Sequence, residues 1–234
     1  MPMNTSRLWL VIPAAGSGQR MQSSRPKQYL SLRGSPILDL AISCILDNAS
    51  LAGCVVAISL DDPWWRETRA SKDSRIDSCI GGQRRAESVL AGLESLRGKA
   101  GPKDWVLVHD AARPCLHPDD LERLIADLAD HEVGGLLAAP VTDTLKKSAT
   151  GTQDVLETVD RRDLWRALTP QMFRYGILTS ALQRSLSCGR PVTDEASAVE
   201  QAGFSPCIVE GRPDNIKVTV PADLALADFV LGRF

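Results

Sequence analysis

Unbroken apolar runs alternating with segments of helical spacing restrict this chain more than any other feature. Leu8 to Ile12 reads Leu-Trp-Leu-Val-Ile, and comparable runs follow at Cys54 to Leu60, Ile76 to Ile80, Trp105 to His109, Gly135 to Ala139 and Pro206 to Glu210. Several are continuous rather than alternating, the pattern of strands buried on both faces of a sheet. Between them lie amphipathic segments. From Pro118 to His131, Leu121, Leu124, Ile125 and Leu128 follow helical spacing, Pro118 suits the first helical position, and Asp119 and Asp120 complement the positive end of the dipole. Ala86 to Leu96 and Ile37 to Leu46 behave alike. Strand, helix, strand in repetition predicts an α/β fold: a mainly parallel twisted sheet with right-handed crossovers, flanked by helices, with ligands beyond the carboxyl ends of the strands.

The 234 residues are read as one domain, 1–234, long enough to bury roughly 70% of the unfolded surface. A formal net charge of -2 gives the whole-molecule field no reason to attract nucleic acid or a membrane, so any anion site must be local. Cys44, Cys54, Cys79, Cys115, Cys188 and Cys207 show no CxxC pair or other metal spacing. No apolar leader precedes the first strand, and no run approaches the ~18 apolar residues of a membrane helix. The expectation is a reduced, cytoplasmic protein whose cysteines are small buried hydrophobes.

The stretch from Pro13 to Leu30, PAAGSGQRMQSSRPKQYL, follows the first apolar run. A dinucleotide fingerprint needs Gly or Ala three places after the second glycine, where Met21 stands; an ATPase phosphate loop needs glycine at that same position, with Lys and Ser or Thr behind it. Both are excluded. What remains is a strand feeding an anion-friendly turn, with Arg20 and Lys27 downstream as mobile cations, and that combination suggests phosphate.

Four further stretches lie near predicted strand ends: Gly81 to Ser88, His109 to Pro114, Thr158 to Arg161 and Gly211 to Lys217. Paired glycines leading into a helix let a planar base approach main-chain groups, or simply make a tight turn. Asp110 could bind Mg2+ through water, accept a sugar hydroxyl or cap the following turn. His109 is a metal ligand or base only if a partner exists, and His117 and His131 sit at a helix start and a helix end. Ser17 and Ser88 lack a Gly-x-Ser-x-Gly context, so nucleophilic serine chemistry is unsupported. Arg161 and Lys217, taken singly, read as surface cations. Trp64-Trp65 reads as a helix start covering the domain edge in preference to a base-stacking platform.

Val141 to Arg162 breaks the rhythm, with two polar arms around Ser148-Ala149-Thr150-Gly151. It is predicted to be a β-hairpin. A hairpin with so little apolar surface is marginal alone, so it should lie against a second subunit or against its own domain.

Taken in order, PAAGSGQRM with PKQYL, GGQRRAESVLAG, VLVHDAARP, TVDR, LTPQ, TDEASA and VEGRPDNIKVT closely resemble the 2-C-methyl-D-erythritol 4-phosphate cytidylyltransferases of the non-mevalonate isoprenoid pathway. The likeness runs from about Leu10 to a final helix at Pro221 to Leu231. It implies a Rossmann-like nucleotidyltransferase fold in which 141–162 is a protruding β-arm that embraces the other subunit of a homodimer. It also implies that Ala14, Ala15, Gly16, Gly18, Gly82, Gln83, Ser88 and Ala111 surround CTP. Arg20 and Lys27 are assigned to the triphosphate and the transition state, and Arg161 and Lys217 to the methylerythritol phosphate. Asp110, Arg113, Thr144 and Thr169 would complete the second pocket, part of it supplied by the neighbouring subunit. Two departures stand out: Gln83 where an acidic residue is usual, and Gln19 where a second basic residue often occurs.

The reaction so implied joins CTP and methylerythritol phosphate into a CDP-alcohol with release of pyrophosphate. It proceeds by in-line attack assisted by Mg2+, held mainly by the CTP phosphates with Asp110 as a candidate ligand, and without a covalent intermediate. Rival readings are a cytidylyltransferase for another polyol phosphate, such as ribitol 5-phosphate, and a catalytically silent nucleotide-binding protein.

Overall fold

A computed structural model of the chain describes residues 6–16, 21, 23 and 25–233. Gly18 and Arg20 lie outside the described residues. In chain order the elements are β1 (Leu8–Pro13), β2 (Ser31–Leu32), β3 (Ser35–Pro36), α1 (Ile37–Leu46), β4 (Leu51–Ile58), β5 (Ile76–Ile80), α2 (Arg85–Ser95), β6 (Trp105–Val108), α3 (Pro118–Leu128) and β7 (Gly134–Pro140). There follow β8 (Leu145–Ser148), β9 (Val155–Val159), β10 (Trp165–Arg174), α4 (Tyr175–Ser187), α5 (Glu195–Gln201), β11 (Cys207–Glu210) and α6 (Ala222–Leu231).

Seven strands form one sheet in the order β11-β7-β10-β6-β1-β4-β5. Its pairings are parallel except those of β10, which runs antiparallel to both β6 and β7. The unbroken apolar strand β1 explains itself here. Leu8, Leu10 and Ile12 pack on one face with Leu38, Ile42 and Ile45 of α1 and Leu121, Leu124 and Leu128 of α3. Trp9 and Val11 pack on the other with Val89 and Leu93 of α2 and Leu178 and Leu182 of α4. Two buried faces leave no position for a polar residue.

The six anticipated strands are all present with ends shifted by up to three residues, and α1 spans the expected Ile37–Leu46. β10 was not anticipated. Pro170 sits inside it, and a proline in an apolar run ordinarily argues against an interior strand. The ladder with β7 accommodates it by a register shift between Ala167 and Gln171. Trp64 and Trp65 do start a helical turn at the domain edge, where the Asp62 carboxylate accepts from both their amides and Trp65 is buried. His117 accepts from the Asp119 amide at the start of α3, and His131 accepts from Gly134 beyond its end.

The 141–162 segment forms the expected hairpin: β8 and β9 pair only with each other, antiparallel, outside the main sheet. Val155 and Leu156 stand 61% and 63% exposed on it. Among the described residues, no helix is long and apolar enough to cross a membrane.

β1 is the hinge of the topology. The chain leaves it toward β4 and β5 on one side, then returns across it to β6 on the other. A cleft opens at such a reversal, beyond the carboxyl ends of the strands.

Candidate functional site

A cavity of about 400 Å³ occupies that cleft, walled by Ala14, Ala15, Gly16 and Lys27 after β1, Gly82, Gln83 and Ser88 after β5, and Asp110, Ala111 and Lys217. Ten of the residues expected at the site are therefore brought together. The loop after β1 is pinned from below by Gln28, 4% exposed, whose amide donates to the carbonyls of Ala14 and Gly16 at 2.6 and 2.9 Å. No charge or glycine marks Gln28 out in the sequence. Its signal was its position inside PKQYL, one residue after a lysine that reaches the cavity.

The turn after β5 is equally tight. The Gly82 amide donates to Ser88 Oγ at 3.2 Å, closing the chain onto the first turn of α2. A Cβ at Gly81 would lie 2.7 Å from Ser88 Oγ and 2.8 Å from the Ala15 Cβ, so the two loops touch through a gap that only glycine leaves. Of the two readings the sequence offered, the tight turn is present, and it lies on the wall of the cavity.

A second cavity of about 250 Å³ adjoins the first, lined by Arg113, Leu168, Thr169, Gln171, Thr193 and Asp194 among others. Arg85, Asp110 and Lys217 line both, so they form the wall between them. Asp110, 7% exposed, is the centre of that wall. Its Oδ1 accepts from Arg85 Nε at 2.8 Å, and its Oδ2 lies 2.8 Å from Lys217 Nζ and 3.5 Å from Arg113 Nε. Burial pushes the carboxyl up, but Arg85, Lys217 and Arg113 outweigh it and hold Asp110 well below the usual carboxylate range. Its carboxylate neither caps a turn nor presents a free oxygen.

His109 is fully buried and has partners, though not a base's partners. Its Nε2–H donates to the Arg113 carbonyl at 2.9 Å, so Nδ1 of the neutral ring accepts from the Thr169 hydroxyl at 3.0 Å. That hydroxyl accepts in turn from the Asp110 amide at 3.1 Å. Burial lowers the imidazole pKa to about 4, which keeps it uncharged. The ring serves to hold β10 against the loop after β6.

The 215–218 segment closes the site. Asn215, fully buried, donates to the Thr169 carbonyl at 2.8 Å, Arg113 donates to the Asn215 carbonyl at 2.7 Å, and Val218 donates to the Ala112 carbonyl at 2.8 Å. Lys27 Nζ donates to the Val218 carbonyl at 2.9 Å. One short segment therefore orients Lys217 toward Asp110 and its neighbour's carbonyl toward Lys27.

Thr144 and Arg161 line neither cavity. Both are exposed on or beside the hairpin, where Arg161 donates to the Thr142 carbonyl. Among the described residues no three His, Cys, Asp or Glu side chains group as metal ligands. Both Asp110 oxygens are engaged by cations, so among the described residues this wall offers no unpaired carboxylate oxygen for a metal ion.

The family model described as IspD, 2-C-methyl-D-erythritol 4-phosphate cytidylyltransferase, matches residues 8–233. A 2-C-methyl-D-erythritol 4-phosphate cytidylyltransferase of Ectopseudomonas mendocina is 53% identical over 222 residues, covering 94% of each chain. The protein of that name from Serratia proteamaculans is 52% identical over 223 residues, 95% of this chain and 93% of its own. The crystal structure of the Francisella tularensis cytidylyltransferase superposes with a TM-score of 0.84 at 35% identity, over 96% of this chain and all of that one. With the family model matched from β1 to the end of α6 and relatives more than half identical over nearly the whole chain, the chain belongs to the 2-C-methyl-D-erythritol 4-phosphate cytidylyltransferase family.

Proposed function

We propose that this chain transfers the cytidylyl group of CTP to 2-C-methyl-D-erythritol 4-phosphate, giving 4-diphosphocytidyl-2-C-methyl-D-erythritol and pyrophosphate. The observation that carries the reading is the pair of adjoining cavities with a shared charged wall. The larger suits the nucleotide, its base against the Gly82 turn, Gln83 and Ser88, and its phosphates toward Gly16 and Lys27; the assignment of Arg20 to the triphosphate rests on the family resemblance alone. The smaller suits the acceptor phosphate, near Arg113, Thr169 and Lys217. In-line attack requires the acceptor oxygen to reach the α-phosphorus from the side opposite pyrophosphate, and two adjoining cavities with one wall between them suit that approach.

No general base is needed. A phosphate monoester has a second pKa of ~6, so the attacking oxygen is anionic at neutral pH. The difficulty is repulsion between two polyanions, and the chain answers it with fixed cations and main-chain amides. Mg2+ on the triphosphate would supply further neutralisation. We assign the 141–162 arm to a homodimer, in which Thr144 and Arg161 enter the neighbouring subunit's acceptor pocket. The exposure of Val155 and Leu156 on a two-stranded hairpin supports this. Six unpaired cysteines fit a reducing compartment, and we assign the enzyme to the cytoplasm.

The test is pyrophosphate release with CTP and Mg2+, comparing methylerythritol 4-phosphate, ribitol 5-phosphate and no acceptor. Release with the first alone is the expected result. Release with ribitol phosphate would preserve the nucleotide site and reassign the acceptor; release with neither would leave a nucleotide-binding protein without this activity.

A further inference from the structure

The wall between the cavities is itself held from behind by a group that touches neither. Glu195, the first residue of α5, is completely buried. Its carboxylate accepts from both terminal nitrogens of Arg85, Oε1 from Nη1 at 2.6 Å and Oε2 from Nη2 at 3.0 Å. The remaining edge of the same guanidinium, Nε, donates to Asp110. A planar donor committed along two edges is fixed in position and in plane. Charges then alternate along one line, Glu195, Arg85, Asp110, Lys217, from the interior to the cavity.

Glu195 stands on a rigid mount. The Ala196 amide donates to Gln171 Oε1 at 2.8 Å, and Gln171 Nε2 donates to Asp194 at 2.9 Å, so β10 clamps the start of α5. Asp194 also accepts from the Ser197 amide at 3.0 Å as the helix cap. A buried ion pair is a poor source of stability compared with apolar packing, because desolvation consumes most of the attraction. Its value here is directional. Without the Glu195 charge, the Nη groups of Arg85 would turn to Asp110, the nearest carboxylate, and compete with Lys217 for Oδ2.

We infer that Glu195 is a positioning residue for the acceptor side of the site: through Arg85 it fixes Asp110, and through Asp110 it fixes Lys217 at the wall between the cavities. This rests on the proposed transfer reaction. The Gly82 and Ser88 turn that receives the base is built by other bonds, so the effect falls on the acceptor.

Glu195→Gln keeps the shape and removes the charge. The expected result is a KM for methylerythritol phosphate raised about tenfold or more, with the KM for CTP changed less than about twofold. In a Lys217→Ala background the same substitution should add less than about twofold, because its effect runs through a side chain no longer present. A residue that only stabilised the fold would lower the active fraction and leave both KM values alone, and its penalty would be equal in both backgrounds; that outcome overturns the inference. Should Glu195→Gln not fold, Glu195→Asp, with the carboxylate drawn back by one methylene, carries the same comparison. Wild-type protein that releases no pyrophosphate would sink the proposed reaction, whereas active wild type with an unaltered variant would sink the positioning role alone.

Discussion

Lys27 and His109 illustrate two ways a single side chain serves this site. Lys27 lies on the cavity wall with its ammonium on the Val218 carbonyl, and under the proposed function it faces the triphosphate. Lys27→Ala should lower turnover by roughly 10² or more, the scale for losing one preorganised donor. Steady-state pyrophosphate release checks it, and unchanged turnover would remove Lys27 from the machinery. His109 acts by staying neutral. Its folded pKa of about 4 lies below the 6.5 of a free imidazole. Between those values the unfolded chain binds a proton that the folded chain refuses, so its contribution is complete above about pH 6.5 and is lost as pH falls toward 4. The loss is on the order of 3 kcal/mol. Denaturant melts at stepped pH should show that decline in the wild type and a flatter one in His109→Gln; equal slopes would acquit the ring. Asp110 titrates in a separate window. Its depressed pKa makes its contribution present above the ordinary carboxylate value of about 3.9 and lost below it. The loops that carry Ala14, Gly82, Ser88 and Ala111 were legible as glycine-rich or charged stretches at predicted strand ends, and the family resemblance singled out those four residues within them. Arg85 and Glu195 were not: an Arg-Arg pair and an acid at a helix start both have ordinary surface explanations, and their partnership spans 110 positions.

At the scale of elements, α2 delivers Arg85 and Ser88 to the site, and its distance from β1 is set by Gly92. A Cβ there would come within 2.6 Å of Val11 Cγ1, a short branched side chain buried on the sheet and unable to swing aside. Gly92→Ala gains about 1 kcal/mol of helix propensity against an overpacking cost of about 1–3 kcal/mol. The expected balance is a loss, read as a melting midpoint lower by about 2–4 °C for each kcal/mol. A raised midpoint would mean that α2 is not held this close to the sheet. The parallel strands were readable because two covered faces enforce unbroken apolar sequence. β10 escaped for the converse reason: Pro170 and a register shift interrupt the pattern at the point where the strand supplies Thr169 and Gln171 to the second cavity.

At the scale of the whole molecule, the hairpin is the part that one chain does not explain. It projects Val155 and Leu156 outward, and Thr144 and Arg161 stand apart from the cavities that hold Lys27 and Lys217. If the arm reaches a second subunit, each active site combines Lys27 from one chain with Arg161 from the other. Two inactive variants should then complement. In a mixed dimer of Lys27→Ala and Arg161→Ala, one site collects both substitutions and the other collects neither. Random exchange makes half of all dimers mixed, so an equimolar mixture should recover about a quarter of the wild-type site concentration. Recovery should require time for subunits to exchange, and it should vanish when the arm carries Val155→Asp and Leu156→Asp, since charges at these positions would have to be desolvated in the contact. Activity that stays at the level of the separate variants, while sedimentation shows mixed dimers present, would mean that each chain completes its own site and that the arm serves assembly without entering the chemistry.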